Sequence, residues 1–458
     1  KGIGPKIAAL IVDRFGEQTL DIIENHPEKL MTIKGISVKR AEAITEAYRE
    51  YKHLEELMLV LKPYNISNKR VAKIYKRYGE NAVNILKENP YRLADEIDGF
   101  GFITADRIAR AFDIAFDDKY RIRAGILYTL HEASVRDGHL YLVAEELLNR
   151  ASEVLSSAEG VIKNETMIPV LEEMKLAGDI VIEGRNIFLP YYFAAEKYCS
   201  TKIKEILESK PDKFKHDIEE TLQELEKQNK IKYAPNQKEA ICAIESTDLL
   251  VITGGPGTGK TTIIKAIIQV FKKNFPRKIV KLVAPTGRAV KRMEEATGLE
   301  AKTIHRELEF KRSTDDKIIC GRDETNPIDA DLLIVDESSM IDIRLFTHLV
   351  KAIKLGTKVI FVGDADQLPS VGPGNVFKDL IESGVIPVIR LDEIFRQENT
   401  SRIIINADYI KRGKHMLEWG DDFIFIREDN NENIPNIIRE QFLNEIKKHG
   451  GIGRVQVL

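Results

Sequence analysis

Residues 249–262 read LLVITGGPGTGKTT, and this stretch decides how the rest of the chain is read. An uninterrupted apolar run ends in a glycine-rich loop, and a helix start follows. Glycines let the backbone turn tightly, and the free amides at the next helix's N-terminus face an anion. Gly254 through Thr261 fit the spacing G-x-x-x-x-G-K-[ST]. In that spacing, loop amides wrap phosphate oxygens, the lysine neutralises the β/γ charge and the hydroxyl ligates Mg²⁺. Gly255, Pro256, Gly257, Thr258, Gly259, Lys260, Thr261 and Thr262 are therefore the candidate nucleotide-binding residues. The bland alternative is a glycine-rich structural turn.

Further apolar runs ending in polar loops follow: KIVKLVAPTGRA (278–289), ADLLIVDESSM (330–340) and KVIFVGDADQLP (358–369). Apolar strands alternating with helices imply an α/β domain with a parallel sheet, whose ligands sit beyond the carboxyl ends of the strands. All the polar loops then land on one edge. Asp336 and Glu337 lie at such a strand end. The first suits Mg²⁺, and the second suits the orientation and deprotonation of an attacking water. Gln367 offers an amide that can sense the γ-phosphate, unless its loop is an ordinary turn. ATP and Mg²⁺ are the expected cofactors.

Upstream lies an internal repeat. RFGEQTLDIIENHPEKLMTIKGIS (14–37) echoes RYGENAVNILKENPYRLADEIDGFG (77–101), with Pro27 matching Pro90 at an offset of 63. Tight turns built on Gly2 and Gly4, on Gly35, and on Gly99 and Gly101 each precede a helix with apolar 3–4 spacing. Such turns can hold a phosphodiester without reading bases. The alternative is a purely structural αα-hairpin array. Lys6, Lys39, Arg40, Lys69 and Arg70 follow turns and are either phosphate contacts or solvated surface.

The chain of 458 residues has room for about three domains at ~150 residues each. The expected division is a helical-hairpin domain at 1–112, a mixed, winged-helix-like connector at 113–232, and an ATPase domain at 233–400. Residues 307–329 would be inserted in the last, and 401–458 would begin a second motor domain. Hydrophobic residues make up 43% and charged residues 31%, which excludes a disordered chain. No apolar run approaches the ~18 residues of a membrane span. Three cysteines without paired spacing argue against a disulfide framework or a zinc site and suggest a cytoplasmic setting. Net charge is −3, and the first 112 residues hold 19 Lys+Arg against 16 Asp+Glu, so composition leaves the partner open. Both ends read as cut, and a fragment of a longer protein is expected.

Taken in order, the glycine-rich loop, APTGRA (284–289), DESSM (336–340), GDADQLPSVGPG (363–374) and DEIFRQ (392–397) resemble the motifs of superfamily-1 helicases. The wording is similar to the RecD branch, which moves 5′ to 3′, and the upstream hairpins resemble its long, stand-alone members. The resemblance implies a RecA-like core driven by ATP, acting on single-stranded DNA and single/double-strand junctions, with no membrane association. It further implies that Gln237 reads the adenine edge, that Arg396 is an arginine finger on the γ-phosphate, that Thr286 and Arg288 touch the DNA backbone, and that His305 lies on the DNA track. Against these stand a solvated cap residue, a surface salt bridge, local loop hydrogen bonding and a satisfied core histidine. LEFKRSTDDKIIC (308–320), with Asp315 and Asp316 near its turn, would form a strand-splitting β-hairpin, or else a plain surface loop. The family's second motor domain carries two later motifs that do not occur before Leu458. Helicase action is therefore expected of the complete protein, with weak turnover by this stretch alone. Competing readings are an RNA helicase of the same superfamily and a non-motor DNA-binding module with a vestigial nucleotide site. No separate carboxylate cluster supports a nuclease.

Overall fold

Strands with apolar residues on both faces need cover on both sides, and the chain supplies it with helices. The structure is a computed structural model describing residues 4–157, 160–312, 318–393 and 401–457. Its strands are β1 (Tyr141–Val143), β2 (Val181–Glu183), β3 (Asn186–Phe188), β4 (Leu249–Gly254), β5 (Val280–Ala284), β6 (Ala301–Thr303), β7 (Lys311–Arg312), β8 (Ile318–Ile319), β9 (Leu332–Val335), β10 (Lys358–Gly363) and β11 (Val388–Leu391). Six of them form a parallel sheet in the order β11-β4-β10-β9-β5-β6. Successive side chains on a strand face opposite ways. Leu249 and Val251 of β4, with Val359 and Phe361 of β10, enter one core. Leu250 and Ile252, with Ile360 and Val362, enter the other. The α/β class and the parallel sheet match the expectation.

The packing boundaries differ from the expected ones. The helix Pro190–Leu207 buries Tyr192, Ala195, Cys199 and Ile203 in the first of those cores, and the helix Ile218–Asn229 buries Leu222 and Leu225 in the second. The α/β packing unit thus reaches back to about Pro190, well before the expected boundary at 233. The charged surfaces of these helices conceal narrow apolar stripes, and composition does not register them.

Residues 119–188 run helix, β1, helix, helix, β2, β3, with the antiparallel sheet order β1-β3-β2. This is the winged-helix order. Its core is continuous with the hairpin array: Tyr91, Phe102 and Ala105 pack with Ile122, Leu130 and Met174. Arg121, 6% exposed, donates to Asp106 at 2.8 Å, and the Tyr91 hydroxyl donates to the same carboxylate at 2.7 Å. A buried ion pair that lost one partner would leave an uncompensated charge, at a cost of about 3–5 kcal/mol. No packing break falls at residue 112.

In the array, the helix Val38–Leu61 serves both repeats. Its first half puts Ala41 and Ile44 into one small core, and its end puts Leu57 and Leu61 into the next. Beyond β11 come the helices Arg402–Lys411 and Ile434–His449. The run at residues 455–457 is assigned to no strand. An apolar run needs a neighbouring strand to become one, and no described segment pairs with it. No described helix is long and apolar enough to cross a membrane.

A candidate nucleotide site and its adjoining groove

β4 is flanked by β10 and the edge strand β11, so the loop after it opens on the sheet's carboxyl edge between those two strands. The helix Lys260–Asn274 begins directly after Gly259 and carries no side-chain cap, leaving its N-terminus open to an anion. Gly259 has φ +84, which favours glycine, and a Cβ there would lie 2.6 Å from Gln237 Nε2 and push that amide from its place. The Thr258 side chain is buried, and its hydroxyl donates to Gly255 O at 2.9 Å, so it braces the loop from within. Lys260 Nζ donates to Gly254 O at 2.6 Å and to Gly255 O at 3.0 Å, which holds the ammonium inside the cradle. Thr261 and Thr262 are exposed at the helix start.

Asp336 follows β9, the strand beyond β10. Burial pushes its carboxyl up to about 6, against the opposing pull of the Glu337 amide and of Lys260. Its Oδ1 accepts from the Glu337 N–H at 2.9 Å. Glu337 sits at φ +52, ψ +40, a left-handed conformation that costs a non-glycine residue on the order of 1 kcal/mol or more. Strain and desolvation both collect at this acidic pair.

The loop after β10 touches two places. Near its start, the Ala365 N–H donates to Thr253 Oγ1 on β4 at 3.1 Å. Farther along, Gln367 lines a groove of about 910 Å³ together with Thr286, His305 and Phe310. Leu368 and Val371 stand 87% and 98% exposed on the same loop. Its far end is fixed from the winged-helix unit, where the Gly374 N–H donates to Gly138 O at 2.8 Å.

Three family models match this chain: a SAM-like helix-hairpin-helix tandem over residues 1–50, an ATP-dependent RecD2 DNA helicase HHH domain over 50–141, and an AAA domain over 237–373. An ATP-dependent RecD2 DNA helicase from Deinococcus radiodurans is 28% identical across all of this chain and 62% of its own length. The chain is similar to a RecD-like helicase across its whole length. A RecBCD enzyme subunit RecD from Mycolicibacterium smegmatis is 35% identical over 32% of this chain and 30% of its own. Among solved structures, a Pif1 helicase from Candida albicans is similar at a TM-score of 0.31 and 24% identity, covering 40% of this chain and 44% of that one. The chain spans less than two thirds of the Deinococcus relative.

The expected site residues take the following places. Gln237 is 5% exposed and lies against the loop: its Oε1 accepts from the Ala234 N–H at 3.1 Å and its Nε2 donates to Thr258 O at 3.0 Å. It braces the cradle and caps its own helix, and is not a solvated cap residue. Thr286 caps the helix Gly287–Thr297, accepting from the Ala289 N–H at 3.3 Å, and it still faces the groove. Arg288 is exposed and donates to Gln456 Oε1 at 3.1 Å. His305 is exposed in the groove and is not a core histidine. β7 and β8 form an antiparallel pair, so residues 308–320 start a hairpin; Asp315 and Asp316 lie outside the described residues. Arg396 and Gly2 also lie outside them.

Two features escaped the sequence reading. One is Thr253, which ties the glycine-rich strand to the Gln367 loop; the signal was a hydroxyl within an otherwise apolar run. The other is a further hairpin turn, Asn65-Ile66-Ser67, before the helix Asn68–Tyr78. Asn65 holds φ +55, the left-handed position that Gly99 holds at φ +90 in the neighbouring turn. The offset of 63 carries Gly2 and Gly4 onto Asn65 and Ser67, which would have found it. Around these two turns, Lys73 donates to Asp98 O at 2.8 Å and Arg70 lies over the Phe100 ring at 5.5 Å. Gly4, Gly35 and Gly101 are exposed at their turns.

Proposed function

We propose that this chain is the nucleotide-driven part of a DNA helicase that moves 5′ to 3′ along single-stranded DNA and opens duplexes at junctions. The observation that carries the reading is the single loop of residues 364–374. It is hydrogen-bonded to the nucleotide strand through Ala365 and forms a wall of the groove through Gln367 and Leu368. A change at one site would then be felt at the other through one short connection, which is what coupling requires.

The residues fit Mg·ATP: an uncapped helix N-terminus, an ammonium already inside the loop, and a half-buried carboxylate at the end of β9, two strands away. The chemistry that Mg·ATP supplies when bound is a transferable phosphoryl group and a divalent charge on its oxygens. Lys260 would exchange its two carbonyl partners for phosphate oxygens. The Thr261 hydroxyl and Asp336 would hold the cation, and Glu337 would orient the attacking water. Gln367 would report the γ-phosphate to the groove, and Arg396 would add a positive charge to it. Thr286 and His305 would meet the strand, while the hairpin turns would grip backbone phosphates through their amides. The β7–β8 hairpin rises from the groove edge, since Phe310 and Ile318 both line it, and would part the duplex there.

Duplexes carrying a single 5′ or 3′ tail, in DNA and in RNA, test this in the full-length protein. The reading expects unwinding only of the 5′-tailed DNA. Activity confined to the 3′ tail would remove the direction, and equal activity on RNA would remove the substrate class.

A further inference from the structure

The groove has a wall that the nucleotide motifs do not account for. Tyr191, at the start of the helix Pro190–Leu207, is 51% exposed and lines the groove with Thr286, His305 and Gln367. Beside it stands Arg344. Its guanidinium lies 6.0 Å from the Tyr191 ring centroid and 5.4 Å from that of Tyr192, and it donates to the Tyr192 hydroxyl at 2.5 Å. Among the described residues no carboxylate pairs with Arg344, which is itself exposed. Asp342, the acid nearest in the lining, accepts the Leu345 N–H at 2.7 Å as a helix cap. Tyr192 is buried in the motor core, so it fixes Arg344 from below while Tyr191 stays open.

The lining holds further flat faces, one of them a helical turn on from Arg344. His305 and Phe310 are 5.2 Å apart, as are Phe310 and His348. Rings along the groove, those of Tyr191 and His305 exposed, with an arginine whose charge no described acid meets, match a polyanion that carries planar groups. A single nucleic-acid strand is such a polymer: bases stack on rings regardless of sequence, and phosphates meet the cation. A folded protein partner offers no regular alternation of planar group and negative charge.

We propose that Tyr191 receives an unpaired base on its ring and that Arg344, held by Tyr192, meets the adjoining phosphate. The helix preceding the nucleotide motifs thereby forms one side of the strand's path. The proposal rests on the reading of this groove as a single-strand track, and it adds a stacking residue whose codon lies some sixty residues upstream of the glycine-rich loop.

The test is fluorescence anisotropy of a labelled thymidine oligonucleotide with the full-length protein, compared with the same strand carrying abasic sites. Tyr191→Ala should weaken binding to the normal strand by roughly five- to a hundredfold, the range expected for losing one stacked base. Tyr191→Phe should stay within about twofold of wild type. The Tyr191→Ala deficit should shrink on the abasic strand, where there is no base to lose. Arg344→Gln should lower the slope of log affinity against log salt by about one. Two results would overturn the proposal while leaving the groove a strand track: normal binding by a folded Tyr191→Ala protein, or an equal deficit on both strands. If the wild type binds neither strand, the track reading itself fails and the proposal goes with it.

Discussion

On the proposed reading, the strand edge of the motor and the hairpin array would both hold phosphate, but by different means. At the strand edge, side chains would join the loop amides: the Lys260 ammonium, the Asp336 carboxylate and the Gln367 amide. At the hairpins, backbone amides would act alone, and a turn needs only the right dihedral angles. Asn65-Ile66-Ser67 shapes its turn as Gly99-Phe100-Gly101 does, with Asn65 at φ +55 and Gly99 at φ +90. Side-chain chemistry therefore leaves a motif, whereas backbone chemistry leaves only a spacing. A further consequence is that residues chosen for chemistry work against the fold, while residues chosen for dihedral angle work with it.

Asp336 gives the largest expected effect on stability. Its carboxyl titrates near 6 in the folded protein because it is buried, against an ordinary value of 3.8. The unfolded chain releases this proton first as pH rises, so stability falls between about pH 4 and pH 6 and stays lower above that. Asp336→Asn keeps an oxygen for the Glu337 N–H without the charge. It should raise the unfolding free energy of the nucleotide-free protein by on the order of 1–3 kcal/mol at pH 8. The gain should vanish at pH 4, and activity should be lost at every pH. Urea denaturation at the two pH values measures this; an Asn variant less stable at pH 8 would show that the carboxylate supports the fold.

A smaller effect is expected at Asn65, where only the dihedral angle counts. Asn65→Val forces a β-branched residue into the left-handed region and should destabilise the array by about 1–2 kcal/mol. Asn65→Gly should stay within a few tenths of a kcal/mol, since glycine adopts this conformation freely. Both are read from urea unfolding. A harmful glycine paired with a harmless valine would show that the asparagine side chain, not its backbone, is what the turn needs.

The same contrast explains what the sequence revealed. β4, β9 and β10 were legible because their apolar runs end in residues with few other uses, such as Lys260 and the Asp336–Glu337 pair. The winged-helix-like connector was legible in outline from DGHLYLVAEELL and the 181–188 hairpin. Its limits were not, because Tyr91 and Phe102 share a core with it from one side and the helix Pro190–Leu207 joins the motor on the other. Gln237 was expected at the adenine; its burial against Gly259 is a matter of packing that no local pattern encodes. Tyr191 went unnoticed for a similar reason, since only the fold brings it beside Thr286 and His305.

Phosphate release by the full-length protein, with and without single-stranded DNA, tests the central claim most directly when wild type is compared with Lys260→Ala. The account predicts that DNA accelerates release by the wild type and that the variant loses roughly a hundredfold or more, the scale of removing a charge that meets the transition state. A folded Lys260→Ala protein with undiminished, DNA-stimulated release would contradict it.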